Sequence, residues 1–122
     1  MKYFIIAAAI LLTSCAGNSS DKPKEIDVAG PPQVGENLFK ANCSNCHKPA
    51  EEYIGPALKG VESKWANKEL LYDFVRNSQD VISRNGYAKQ LFEKYKQSPM
   101  LPFPQLKNEE IDAILDYCNS AQ

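Results

Sequence analysis

The 122-residue sequence has little of several things. It holds one histidine, one tryptophan and two methionines. It has no excess of positive charge: 14 basic against 15 acidic residues give a net charge of −1. No Lys/Arg run stands out, so binding to nucleic acid is not supported. No stretch is apolar enough to cross a bilayer; the longest, Phe4 to Leu12, is nine residues, and a span needs about 20. No alternating apolar pattern rises above noise, which argues against strands. The four cysteines make no disulfide framework. With one histidine and only one cysteine after position 46, a zinc site is poorly supplied.

What is present is Cys43-Ser44-Asn45-Cys46-His47, which reads C-x-x-C-H. That pattern is the attachment site of a c-type haem. Thiols three residues apart sit about one helical turn apart, on one face. Each can add to one haem vinyl group, and His47 can then ligate the iron. A thioredoxin-like dithiol would follow a strand in a βαβ unit, and none is evident.

The leader is organised differently from the rest. Met1-Lys2 is basic and Phe4 to Leu12 suits a signal-peptide core. Leu12-Thr13-Ser14-Cys15 resembles the lipobox of bacterial lipoproteins, which implies a lipid-bearing Cys15 at the start of the mature chain. The expected organisation is a signal peptide over 1–14, an anchored tether over 15–33 and one domain over 34–122. With Lys2 removed the basic count falls from 14 to 13 against 15 acidic residues, a net of −2. Residues 16–33, rich in Ser, Pro, Gly and charge, read as a flexible tether roughly 25 Å from end to end.

The domain reads as all-α. Helix one is expected from Val34-Gly35 into the motif, with Leu38 and Phe39 as its apolar pair. Gly55-Pro56 signals a turn, followed by a short helical piece with Ala57, Leu58, Val61 and Trp65. Asn67 suits the N-cap of a helix that ends near Arg76-Asn77-Ser78. A further helix fits Gly86 to Tyr95, with Ser83 or Asn85 as its cap. Residues 98–104 hold three prolines in six positions and exclude regular helix. The last helix takes Asn108 as N-cap. It repeats Ile111, Ile114, Leu115 and Cys118 on one face, where Cys118 behaves as a small buried hydrophobe.

Together these pieces resemble the class I c-type cytochromes, over roughly Val34 to Ala121. The features are Gly35 and Phe39 eight and four residues before Cys43, the C-x-x-C-H, and Gly55 to Leu58 after it. The Met100-Leu101-Pro102-Phe103-Pro104 segment and a terminal helix with Ile114 and Tyr117 complete the set. The resemblance implies four to five short helices around one covalently bound haem. It implies Cys43 and Cys46 as attachment points, and His47 and Met100 as axial iron ligands. The Pro56 carbonyl would accept the Nδ1 proton of His47, and Phe39 would pack on Tyr117. Elimination also favours Met100, since there is no second histidine and Met1 leaves with the leader. The family's methionine is most often followed at once by proline; here Leu101 intervenes. Trp65, Arg76 and Arg84 are candidates to bond a haem propionate, each read equally well as a packed aromatic or a solvated cation. The longer stretch from 66 to 97 either shields a haem edge or builds a partner surface.

The expected function is one-electron transfer, with no catalytic residue and no small-molecule substrate. Partners would be redox proteins or a respiratory complex, met from the periplasmic side or the outer membrane of a bacterium. The alternative is a haem enzyme or gas-ligand sensor with an open sixth iron position. A dihaem peroxidase is excluded, because there is no second C-x-x-C-H.

Overall fold

A computed structural model describes residues 31–122; the leader, Cys15 and nearly all of the expected tether lie outside the described residues. Five α-helices follow in order: α1 (Pro31–Asn42), α2 (Lys68–Arg76), α3 (Ser78–Arg84), α4 (Gly86–Lys94) and α5 (Asn108–Ser120). A short 3₁₀ turn, Val61–Lys64, lies between α1 and α2. No strand occurs among the described residues, so the all-α expectation holds. None of these helices is long and apolar enough to cross a membrane.

Helix α1 begins at Pro31, three residues before the expected start. Proline is tolerated in the first turn, where its missing N–H has no partner to lose. Lys40 closes the last turn, where a cation favours the helix dipole. Helix α5 crosses α1 at Gly35. A Cβ built there would lie 2.0 Å from the Ala113 carbonyl oxygen and 3.1 Å from the Tyr117 Cβ. Only glycine lets the two backbones approach so closely. One turn on, the Phe39 and Tyr117 rings meet in a tilted pair with centroids 5.4 Å apart, as expected. Leu71, Val81, Ala88, Ile111, Ile114 and Leu115 extend this core.

The middle helices are punctuated by asparagine. The side chain of Asn67 accepts the Leu70 N–H at 2.8 Å and opens α2. The backbone N–H of Asn77 closes α2 on the Asp73 carbonyl, while its side chain accepts the Asp80 N–H and opens α3. Asn85, one of two expected caps, accepts the Ala88 N–H at 2.9 Å and opens α4. Helix α3 was not anticipated. It has seven residues and only Val81 and Ile82 are apolar, so it carries no repeat for periodicity to detect. Arg84 pairs with Asp73 and Asp80 on its exposed face.

One expected cap is corrected. Lys107 occupies the N-cap position of α5, and Asn108 is the first helical residue. The Glu110 carboxylate reaches back to accept the Lys107 N–H at 2.8 Å, while the Asn108 side chain accepts from the Arg76 guanidinium. Between α4 and α5 the chain turns through Lys96 and Gln97, both left-handed at φ 61° and 59°. Non-glycine residues pay about 1 kcal/mol or more each for that conformation.

Gly35→Ala decides which of two effects wins. Alanine favours an isolated helix by about 1 kcal/mol, but here its methyl meets backbone. Overpacking of this kind costs about 1–3 kcal/mol, and backbone cannot swing aside. The expected outcome of denaturant unfolding followed by helical circular dichroism is a net loss of up to about 2 kcal/mol.

Candidate functional site

Helix α1 does not stop cleanly. The Cys43 and Ser44 N–H groups both donate to the Phe39 carbonyl, and the Cys46 and His47 N–H groups donate to the Cys43 carbonyl. The Ser44 hydroxyl donates to the Lys40 carbonyl at 2.8 Å. The motif is thus wound as tight turns off the end of α1, with Cys43 half-buried and Cys46 exposed. Burial pushes the Cys43 thiol up to about 11, with Cys46 adding to the effect.

His47 is fixed by residues just downstream of it. Its Nδ1 lies 2.8 Å from the Pro56 carbonyl oxygen. A carbonyl can only accept, so Nδ1 carries the proton and Nε2 keeps its lone pair. Burial lowers the His47 pKa below its ordinary value, opposed by this hydrogen bond, so the ring is neutral at pH 7. Gly55 forms the other side of the mount. A Cβ there would stand 2.5 Å from Cε1 and 2.9 Å from Nδ1 of the ring. The Gly55 N–H also donates to the Cys46 carbonyl at 2.9 Å. The sequence marks Gly55 as a turn residue; its role as a rest for the imidazole was not anticipated.

Cys43, Cys46, His47, Pro56 and Met100 all line one apolar pocket. Its walls come from every part of the fold. Phe74 and Val75 of α2, Ile82 of α3, Leu91 and Phe92 of α4, and Ile111, Ile114 and Leu115 of α5 all line it. The long stretch from 66 to 97 therefore lines the pocket. Ile54 and Leu101 also line it and are 52% and 71% exposed. Met100 is half-buried on the opposite stretch of chain from His47 in sequence. Its backbone carbonyl accepts a hydrogen bond from the Ser78 hydroxyl at 2.7 Å.

Of the three propionate candidates, the two arginines are engaged elsewhere. Arg76 donates to the Leu106 carbonyl and to Asn108, and Arg84 to Asp73 and Asp80. Trp65 packs edge-on against Tyr87 and at 4.9 Å from Phe74. Its indole N–H is, among the described residues, the one buried side-chain nitrogen or oxygen without a hydrogen-bond partner. An orphaned buried donor costs about 1–3 kcal/mol, but Trp65 is not among the residues that line the pocket. Cys118 is fully buried, and its thiol is pushed up to about 12, chiefly by burial, as befits an inert filler. No cluster of three or more His, Cys, Asp or Glu among the described residues is arranged to hold a bare metal ion.

These features fit a haem: an apolar pocket lined by two cysteines, an oriented neutral imidazole and a methionine. The comparisons agree. The family model described as Cytochrome c matches residues 33–122. Cytochrome c from Rhodothermus marinus is 33% identical over 75% of this chain and 76% of its own, with a TM-score of 0.61. An engineered Rhodothermus marinus cytochrome c is 34% identical over 78% of this chain and 79% of its own, with a TM-score of 0.58. The same engineered protein bound to a carbene intermediate, 1-ethoxy-1-oxopropan-2-ylidene, has a TM-score of 0.57 at the same identity. No curated protein matches this chain. The chain belongs to the cytochrome c family: it is a class I c-type cytochrome that binds covalently attached haem c with its iron, and its family role is electron carriage.

Proposed function

We propose that the protein is a one-electron carrier in which Cys43 and Cys46 hold the haem by thioether bonds and His47 and Met100 are its axial ligands. The observation that carries this reading is the mount of His47. Gly55 and Pro56 fix both the plane and the tautomer of its ring, beside a pocket that Met100 also lines. The haem supplies an iron that alternates between ferric and ferrous states. The protein residues govern which state is preferred. A thioether ligand and an apolar wall both favour the lower charge, and so raise the potential. The pocket-lining residues Cys46, Ile54 and Leu101 are exposed, and a partner docking over them would reach the cofactor over a short distance. With a net charge of −1 on the whole chain, strong electrostatic steering is not expected.

A second reading, group transfer at the iron, is favoured by the engineered Rhodothermus marinus relative caught with a carbene intermediate. In this chain that use requires Met100 to leave, since a six-coordinate iron takes no further ligand. The lipobox-like Leu12 to Cys15 supports a third element of the proposal. Lipid on Cys15 and the tether would hold the domain at a bacterial membrane, on the periplasmic side or at the outer membrane, beside respiratory partners.

The absorption spectrum of protein matured in an exporting bacterial host tests the ligand set. A low-spin spectrum with the weak methionine-to-iron charge-transfer band, unmoved by carbon monoxide on reduction, is expected. Met100→Ala should lose the band, lower the potential and admit carbon monoxide; a mutant matching wild type in all three removes Met100 from the iron. Gly55→Ala drives a methyl into the His47 ring. It is expected to cost about 1–3 kcal/mol and to add a high-spin fraction to the ferric spectrum, read by thermal unfolding and absorbance. Cys15→Ser should move the protein from the membrane to the soluble fraction; unchanged partitioning would remove the lipid anchor.

A further inference from the structure

The loop that carries Met100 has little means of holding itself. Pro99 and Pro102 have no N–H to donate. The Ser98 N–H donates back to Tyr95 and the Phe103 N–H donates away to the Val75 carbonyl at 3.2 Å. Among the described residues, the four positions from Pro99 to Pro102 receive one hydrogen bond, from the Ser78 hydroxyl to the Met100 carbonyl. The loop is entered through the left-handed pair Lys96 and Gln97, so its near end is not relaxed either.

Its fastenings come from one place. Val75, Arg76 and Ser78 surround the joint at Asn77 where α2 becomes α3. Val75 holds Phe103, Arg76 holds the Leu106 carbonyl at 2.9 Å, and Ser78 holds Met100 at 2.7 Å. Ser78 is 1% exposed and is the one buried polar residue among those described. A buried hydroxyl at the start of a helix ordinarily serves as the cap. Here Asn77 caps α3, which leaves the Ser78 hydroxyl available to the loop.

We propose that Ser78 is a positioning residue for Met100: its hydroxyl pins the backbone of the iron ligand and so limits how often the thioether leaves the iron. The proposal rests on the reading of Met100 as sixth ligand. A methionine side chain turns about three bonds and adapts readily. Its time on the iron therefore depends on where its backbone is held. Loss of the pin favours the open state by the worth of one buried hydrogen bond, and the sixth position is exposed more often.

The test uses the haem-loaded ferric protein and cyanide as the probe, with three variants beside wild type. Ser78→Ala deletes the hydroxyl. Ser78→Thr keeps it and adds one methyl. Val81→Ala destabilises the same helix at a fully buried position that makes no side-chain hydrogen bond. Ser78→Ala is expected to bind cyanide roughly three- to tenfold faster and to weaken the charge-transfer band. Ser78→Thr should bind cyanide at the wild-type rate, even where its melting temperature falls. Val81→Ala should lower the melting temperature without changing the cyanide rate. The proposal is overturned if Ser78→Ala matches wild type, if Ser78→Thr behaves as Ser78→Ala, or if Val81→Ala accelerates cyanide as much. Wild type lacking the charge-transfer band would instead remove Met100 as ligand and the proposal with it. A wild-type band with an unmoved Ser78→Ala rate removes the proposal alone.

Discussion

Everything else in this molecule depends on the contact between Gly35 and the Ala113 carbonyl. It lets the first and last helices cross backbone to backbone. The Phe39–Tyr117 pair then closes beside it. With those ends joined, the pocket is lined mainly by the chain between them and by one face of α5. Ile111, Ile114 and Leu115 look into that pocket because the crossing sets the rotation of α5. The mounts of the proposed ligands, His47 and Met100, are built on this frame.

The two proposed ligands are held in different ways. His47 is local: its ring bonds a carbonyl nine residues on and rests on the glycine before it. That mount forms from one short stretch, and burial keeps the ring neutral. Met100 is held from a distance, by a serine 22 residues earlier on another element. A local mount survives small shifts of the frame, whereas a distant one reports them. If His47 and Met100 are the ligands proposed here, the difference suits a centre with one fixed and one adjustable ligand.

The sequence shows some of this more readily than the rest, for physical reasons. Cys43, Cys46 and His47 are legible because covalent attachment demands a fixed spacing, and no packing can alter it. The α5 stripe is legible because a helix against a core repeats at 3.6 residues. Helix α3 is not, because seven residues with Val81 and Ile82 alone apolar give no period. Asn77 reads as a helix stop, which it is, while its second role as a helix start depends on where the chain turns next. Asn108 misleads in the same way. It has the right chemistry for a cap but is drawn off by Arg76 from 32 residues away. Ser78 owes its contact with Met100 to a tertiary neighbour 22 residues away, so nothing in its local sequence marks it.

The single-residue joints at Asn77 and Asn85 have a consequence for how such a chain can vary. Three helices follow with no loop between them, so the wall they build has no slack. One residue added beside Asn77 would rotate Ser78 by about 100° relative to Arg76 and put the serine out of register with the methionine loop. Growth there must come as whole helices or not at all.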